Sequence, residues 1–173
     1  DPTVLQRRPI AIKISNNPAS YTRPQHGIGQ ADIVFEHVTE TNITRFTAIF
    51  YGQTPPDVGP IRSARLIDKE LPAMYDAAIF MSGSHPLILD AIAQSDIGDR
   101  IYRETATGFY RKEDDPNIPF EHTLYADTAG LWEAVEWGND NRPPRFTSTM
   151  AFDTTPPPDG EPANYVEINY STW

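Results

Sequence analysis

The chain has 173 residues, of which 39% are hydrophobic and 11% are aromatic, and its formal net charge is −10. This aromatic content excludes an intrinsically disordered chain, and the length predicts one main domain. The net negative charge excludes nucleic-acid binding through a broad positively charged surface. The absence of cysteine excludes disulfides, thiolate nucleophiles and cysteine-ligated metals.

The first half of the chain predicts three strands and two loops. Apolar alternation predicts a strand at 9–15, and breaker residues then predict a long loop over 16–30. Residues 31–38 and 45–51 resemble two strands of a hairpin. Residues 53–60, with three prolines and a glycine, predict a second loop.

The second half predicts a buried strand followed and preceded by helices. Residues 76–81 lack polar alternation after their first residue, which is typical of a central strand. The predicted helices cover residues 66–75, 85–93 and 127–137. Pro72 predicts a kink or two short pieces in the first, Ser84 is the expected N-cap of the second, and Gly138 ends the third. The expected fold class is therefore α/β or α+β, with a mixed β-sheet packed by helices.

The domain organisation follows from composition. Residues 1–138 form the expected main domain, and the proline-rich residues 139–162 are an expected linker or extension, interrupted by a short strand around Met150. Residues 163–173 alternate like a strand, which either completes the sheet or begins a second domain. No run approaches 18 apolar residues, so no membrane-spanning segment is predicted.

The segment Gly59–Arg65 is the strongest candidate for a binding site. Arg62 and Arg65 stand three residues apart beside Ser63, at a turn that is predicted to enter a helix. Guanidinium groups, a hydroxyl and free N–H groups together form an anion-binding arrangement. Arg45 begins a neighbouring strand and points to the same end of the sheet. The alternative is that these arginines form internal ion pairs, with Asp68, Glu70 or Glu36 as partners.

The 16–30 loop is expected to be ordered and to form one wall of the same cleft. Asn16 follows the first strand, and ligands of open α/β sheets bind beyond the strand ends. Arg23 and His26 add side chains that can form hydrogen bonds on a backbone stiffened by proline. The alternative is a flexible surface excursion.

No metal or other cofactor is predicted. The four histidines, His26, His37, His85 and His122, show no spacing that is diagnostic of a metal site. We expect the domain to fold without metal, and no residue is assigned a catalytic role.

Several segments occur in the order of one known family. They are Arg8-Pro9-Ile10-Ala11-Ile12, Arg23-Pro24-Gln25-His26-Gly27-Ile28, Gln30-Ala31-Asp32-Ile33-Val34-Phe35-Glu36, Ile43-Thr44-Arg45-Phe46 and Gly59-Pro60-Ile61-Arg62-Ser63-Ala64-Arg65. The chain thereby resembles the YerB-like lipoproteins of bacteria, whose N-terminal domain has no assigned function. The resemblance covers roughly residues 8–137.

The family's later Pro-His-Asn-Leu-Tyr signature appears around His122. Glu121 stands here in place of the proline and Thr123 in place of the asparagine, and Arg111 matches an arginine slightly upstream. The resemblance implies an extracytoplasmic protein, tethered by a lipid on a cysteine upstream of Asp1. It also implies a smaller C-terminal β-rich domain, and it assigns no reaction.

Three functional hypotheses remain open. The first is a binding module for an anionic or polyhydroxylated envelope ligand such as a glycan, with the ligand-binding residues Asn16, Arg23, His26, Arg45, Arg62, Ser63, Arg65, Arg111 and His122. The second is an enzyme of phosphoryl or glycosyl-phosphate chemistry, in which Asp32 or Glu36 holds a divalent ion. The third is a scaffold that docks another envelope protein and exposes an apolar patch.

Overall fold

Five strands form one mixed sheet in the order β2-β3-β1-β4-β5. The computed structural model describes residues 2–145, 155, 158–161, 163–165 and 167. In chain order, β1 to β5 are Ile10–Ser15, Ile33–Val38, Thr44–Phe50, Ala78–Met81 and Ile101–Arg103. Strand β1 pairs antiparallel with β3 and parallel with β4, and β4 pairs parallel with β5. The expected mixed sheet packed by helices is confirmed.

Short helices surround the sheet. The α-helices α1 to α4 are Ala19–Thr22, Leu71–Met74, Pro86–Ala93 and Thr128–Trp137. The 3-10 helices are Pro2–Gln6, Ile28–Gln30, Glu40–Asn42, Leu66–Lys69 and Phe120–His122. The expected break near Pro72 is confirmed, because a 3-10 helix and α2 replace one continuous helix over 66–75. None of these described helices has the length and apolar character needed to cross a bilayer.

The N-cap of α3 differs from the prediction. His85 is the N-cap residue, and its side chain accepts a hydrogen bond from the N–H of Leu87. The hydroxyl of Ser84, the predicted cap, instead donates to the carbonyl of Ala64 at 2.8 Å. Ser84 therefore ties the end of β4 to a neighbouring loop.

The two faces of the sheet pack differently. On one face, Ile10, Ile12 and Ile14 of β1 are buried in a core that also contains Leu131 and Val135 of α4. On the opposite face, Ala11 of β1 packs with Tyr75, and Ile79 and Met81 of β4 pack against α3. Burial of each large aliphatic side chain stabilises the fold by about 1.5–3 kcal/mol.

A second, two-stranded sheet extends the first face. Its strands are β6, Phe109–Arg111, and β7, Leu124–Ala126, which pair antiparallel. Gly108, at a φ of 94°, lets the chain approach α4 closely, since a Cβ on Gly130 would lie 2.6 Å from the Gly108 Cα atom. Close backbone approach therefore anchors the small sheet on α4.

An ion-pair cluster closes the sheet edge at which the parallel strands begin, here called the amino edge. Arg8, Asp76 and Arg100 precede β1, β4 and β5, respectively. Asp76 accepts hydrogen bonds from Arg8 at 2.7 Å and Arg142 at 2.5 Å, and Arg8 also pairs with Asp140 at 2.7 Å. We call Arg8, Asp76, Arg100, Asp140 and Arg142 the amino-edge cluster.

This cluster extends the packed part of the chain beyond the expected boundary at 138. Asp140, Arg142 and the N–H of Arg145, at the start of the expected linker or extension over 139–162, all contact residues of the main domain. The strand expected around Met150 lies outside the described residues. So does most of the strand expected over 163–173.

Candidate functional site

The extended segment 60–64 lies between the ends of β1 and β4. This is the sheet edge where the parallel strands end, opposite the amino edge. At this carboxyl edge, the N–H of Arg62 donates to the carbonyl of Lys13 at 3.0 Å, and the N–H of Ser82 donates to the carbonyl of Arg62 at 3.2 Å. The N–H of Ala64 donates to the carbonyl of Gly83 at 2.9 Å. The segment thus hydrogen-bonds to both strands, which fixes its arginines at the edge.

Three arginines meet at the carboxyl edge, and we call Arg45, Arg62 and Arg65 the arginine cluster. Arg45, at the start of β3, is 6% exposed and donates to the carbonyl of Ser63 at 2.5 Å. Arg65 donates to the carbonyl of Ala64 at 2.7 Å. Arg62 donates to the carbonyl of Glu121 at 2.7 Å. Backbone carbonyls therefore receive most of the hydrogen bonds of these guanidinium groups.

One carboxylate neutralises part of the arginine cluster. Within the described residues, Glu40 forms the single ion pair to any of the three arginines, and its partner is Arg65. The hydrogen bond from Arg65 lowers the pKa of Glu40 to about 2. Burial, together with the charges of Arg65 and Arg62, lowers the pKa of Arg45 to about 10. The cluster therefore keeps an excess of positive charge in a chain whose net charge is −10.

His122 completes this edge. It is buried, and its ring lies 5.6 Å from the ring of Tyr21. Burial and the charge of Arg62 lower its pKa, so the imidazole is neutral at neutral pH. Buried atoms without a hydrogen-bond partner include Nδ1 of His122 and Nε of Arg62. Such atoms are costly unless a ligand or water satisfies them.

The carboxylates expected as alternative partners of the arginines have other roles. Asp68 is buried and pairs with Lys13 at 2.8 Å, and it accepts the backbone N–H of Arg65 at 2.6 Å. Glu36 accepts hydrogen bonds from the hairpin and the 16–30 loop, and Glu70 pairs with Lys69 at 3.3 Å. The ion pairs proposed with these three carboxylates are therefore replaced by the Glu40 pair.

Lys13 is the unexpected charge beneath the arginine cluster. Its Nζ contacts Asp68, the hydroxyl of Thr47 at 3.1 Å and Nε2 of His37 at 2.5 Å. Burial lowers the pKa of Lys13 to about 8, although Asp68 opposes the change. A lysine within the apolar run Ile-Ala-Ile-Lys-Ile was the sequence signal for this buried network.

The 16–30 loop has a defined conformation, which the hydrogen bonds of Asn16 stabilise. The amide nitrogen of Asn16 donates to Glu36 at 3.1 Å and to Thr44 at 2.7 Å. Its oxygen accepts from Arg23 at 3.2 Å and from Gln25 at 2.9 Å. With its donors and acceptor engaged, Asn16 connects the loop to the β2–β3 hairpin, and Arg23 supports that connection.

His26 joins a different cluster. Its Nδ1 lies 2.6 Å from Asp57, which also accepts from Lys112 at 2.5 Å and from Tyr110 at 2.5 Å. The Tyr125 ring packs edge-on against His26, with 5.3 Å between ring centroids. The structure thus places His26 with loop 53–60 and the small sheet, apart from the arginine contacts.

Arg111 lies on the far side of the turn that carries His122. It donates to the carbonyl of Phe120 at 2.8 Å and to the hydroxyl of Thr123 at 3.1 Å, and it pairs with Glu104 at 2.6 Å. The 3-10 helix Phe120–His122 therefore lies between Arg111 and the arginine cluster. Thr123, which departs from the family signature, is part of this support.

The carboxylates of the enzyme hypothesis are divided between the two edges. Asp32 accepts the N–H groups of Tyr51 at 2.7 Å and Gly52 at 3.1 Å, beyond the end of β3 at the amino edge. Glu36 contacts Thr44 near the carboxyl edge. Among the residues that the structure describes, no group of three or more His, Asp or Glu side chains is arranged to hold a metal ion.

An open groove of about 350 Å³ lies beside the arginine cluster, and Arg65 and Glu40 form its polar end. Of the arginine cluster, Arg65 thus borders this groove. The rest of the lining is mostly apolar and includes Val38, Leu66 and Ile67. We call this the apolar groove.

The chain resembles YerB of Bacillus subtilis in both sequence and structure. A stretch of 83 residues is 45% identical to the Bacillus subtilis (strain 168) protein described as "Putative lipoprotein YerB", and it covers 48% of this chain and 24% of that protein. The crystal structure of YerB protein from Bacillus subtilis matches with a TM-score of 0.72 at 30% identity. That match covers 89% of this chain and 51% of the crystallised chain, so the present chain spans about half of its length.

These matches agree with the family resemblance that the sequence motifs indicated. The sequence profile of one family covers residues 1–139, which include both edges of the sheet and the arginine cluster. The chain therefore belongs to the family described as "Protein of unknown function (DUF3048) N-terminal domain".

Proposed function

We propose that this domain binds an anionic ligand of the cell envelope at the carboxyl edge of its sheet. The observation that carries the proposal is the arginine cluster, in which, among the described residues, one of three guanidinium groups forms an ion pair, Arg65 with Glu40. Arg45, Arg62 and Arg65 approach one another closely enough for the charges of the other two to lower the pKa of Arg45. An anion would supply the missing countercharge.

The chemistry of the edge favours phosphate or carboxylate groups. Guanidinium groups bind such oxyanions through paired, charge-assisted hydrogen bonds. The hydroxyls of Ser63 and Ser82, 3.4 Å apart, add neutral donors at the same edge. The unpartnered Nε of Arg62 and Nδ1 of His122 offer further polar atoms. Together these groups support recognition of one or two adjacent anionic groups.

The proposed location follows from the family relationship. The relative's description as a lipoprotein supports a protein held outside the cytoplasmic membrane by a lipid upstream of this chain. The candidate ligands are therefore phosphate-bearing or carboxylate-bearing envelope glycans and their fragments. The proposal includes no reaction.

Calorimetric titration with inorganic phosphate and pyrophosphate tests the proposal. Arg62→Gln should weaken pyrophosphate binding at least tenfold, because it removes a cation that bonds to the backbone rather than to a carboxylate. Arg142→Gln is the matched control, since it removes the same charge at the amino edge and should leave binding within twofold. Equal losses in both variants, or no saturable binding by the folded wild-type protein, would contradict the proposal.

A second candidate function is docking of another envelope protein, and the apolar groove supports it. Val38 is 63% exposed and Leu87, on the adjacent α3, is 72% exposed. Exposed apolar side chains beside a groove are typical of interaction surfaces. Photo-crosslinking in cells from position 38, with position 137 as the control, should give a discrete adduct from position 38 alone. Equal patterns from both positions would count against docking.

A further inference from the structure

A second groove of about 350 Å³ lies on the far side of the Phe120–His122 turn. Its lining consists of aromatic rings, one ion pair and one hydroxyl, contributed by Glu104, Thr105, Phe109, Tyr110, Arg111, Phe120 and Leu124. The β5–β6 connection, β6, β7 and the turn supply these residues. We call this the aromatic groove.

An exposed aromatic ring is held rigidly in this groove. Phe120 is 64% exposed, yet the guanidinium of Arg111 lies over its ring, 3.6 Å from the centroid. Arg111 is itself fixed by hydrogen bonds to the Phe120 carbonyl, Thr123 and Glu104. One ring face is thus supported by a cation–π contact, which leaves a preorganised apolar surface.

The polar rim of the aromatic groove carries no excess charge. Glu104 uses one carboxylate oxygen for Arg111, at 2.6 Å, and its side chain is 43% exposed. Thr105 adds an exposed hydroxyl. The carboxylate accepts hydrogen bonds from neutral hydroxyl groups, and the hydroxyl both donates to and accepts from them, whereas the carboxylate disfavours a free anion.

We propose that the aromatic groove binds one pyranose ring of a glycan. A pyranose has an apolar face of C–H groups, which would pack on Phe120 and Tyr110, and a rim of hydroxyls, which would bond to Glu104 and Thr105. The groove volume lies at the lower end of the range for small-molecule sites. The aromatic rings, the polar rim and the volume of the groove therefore all fit a pyranose ring.

The aromatic groove and the arginine cluster share one structural element. Arg62 donates to the carbonyl of Glu121, and Arg111 donates to the carbonyl of Phe120, from opposite sides of the turn. A glycan that places a sugar ring in the aromatic groove and an anionic group on the other side of the turn would contact both sites. This extension depends on the proposed function, whereas binding of a neutral sugar does not.

Titration of the ¹⁵N-labelled chain with cellobiose, maltose and N,N′-diacetylchitobiose tests the aromatic groove alone. At least one disaccharide should shift amide resonances of residues 104–111 and 120–124 in a saturable manner. Phe120→Ala should weaken that binding at least fivefold. Trp137→Ala, which removes an equally exposed aromatic side chain at the end of α4, should leave it unchanged. Glu104→Ala provides a second variant with an intact aromatic ring and should also weaken binding.

Failure of all three disaccharides to bind, or equal binding by wild type and Phe120→Ala, would overturn the glycan proposal. Saturable binding of a proline-rich peptide at the same resonances, in the absence of sugar binding, would also overturn it. Comparison of the binding disaccharide with pyrophosphate separates the two proposals. Phe120→Ala should weaken disaccharide binding and leave pyrophosphate binding intact, while Arg62→Gln should weaken pyrophosphate binding and leave disaccharide binding intact. Sugar binding without pyrophosphate binding would overturn the anion site alone.

Discussion

A cluster of three arginines lies at each edge of the central sheet, and the two clusters differ in what neutralises them. At the amino edge, Arg8, Arg100 and Arg142 all reach Asp76, and Arg8 also reaches Asp140. At the carboxyl edge, the arginine cluster bonds chiefly to backbone carbonyls and shares one exposed carboxylate. The same residue type therefore stabilises the fold at one edge and remains available for a ligand at the other.

Burial accounts for part of the difference. The Arg8 side chain is 1% exposed, and ion pairs offset the cost of desolvating it. At the carboxyl edge, Arg62 and Arg65 are partly exposed, so solvent lowers the cost of an excess of positive charge. Arg45 is buried at that edge and forms no ion pair among the described residues, and its burial lowers its pKa to about 10.

The largest expected effect is on stability at the amino edge. Asp76→Asn should lower the free energy of unfolding by about 3–5 kcal/mol, because it leaves Arg8 buried without a full countercharge. Asparagine tolerates the positive φ of 50° at this position, so the change isolates the charge. Urea denaturation measures the loss. Glu40→Gln, at the carboxyl edge, should cost less than about 1 kcal/mol, and similar losses at both edges would refute the comparison.

The pH dependence of stability sharpens the same contrast. Burial raises the pKa of Asp76, but hydrogen bonds from Arg142, Arg145 and Arg8 outweigh it and lower the value from 3.8 to about 2. Because the folded-state pKa is the lower one, this stabilisation is complete above about pH 5 and disappears as the pH falls towards 2. Wild type should lose about 2 kcal/mol more than Asp76→Asn over that range, as measured by urea denaturation at each pH. Parallel profiles would show that Asp76 does not titrate in this way.

The smallest expected effect is a gain of binding at the carboxyl edge. Glu40→Gln removes the one carboxylate that competes for Arg65, so it should raise the affinity for pyrophosphate about threefold, equivalent to about 0.7 kcal/mol. Calorimetric titration at constant ionic strength detects the gain. Glu136→Gln, at an exposed position of α4, is a control for the change in net charge. A fall in affinity would indicate that Glu40 positions Arg65 rather than competing for it.

The sequence predicted the long elements better than the short ones. Strands β1, β2 and β3 carry six or seven residues, enough for apolar periodicity to be recognised, and their predicted bounds agree within two residues. Strands β5, β6 and β7 have three residues each and therefore show no period. Their position depends on packing against β4 and α4, which local sequence does not encode.

The candidate site was predicted in part, for a similar reason. We could predict that Arg45, Arg62 and Arg65 lie together, because a strand end and a loop rich in proline and glycine place them at one edge of the sheet. His26 was placed wrongly beside them, since its partners Asp57 and Lys112 are 31 and 86 residues away and carry no spacing signal. The amino-edge cluster was missed, although a charged residue just before each parallel strand would have indicated it.

The amino edge is also the side of the sheet from which attached segments of the chain start. Arg7 is bound to the carbonyl of Tyr51 and Arg142 to Asp76, so the chain enters and leaves on the same side of the sheet. Any tether joined before Arg7, or any segment joined after Arg145, therefore starts from the side opposite the arginine cluster. On a membrane-anchored protein, a tether that starts on this side would direct the candidate site outwards, within reach of polymers beyond the bilayer.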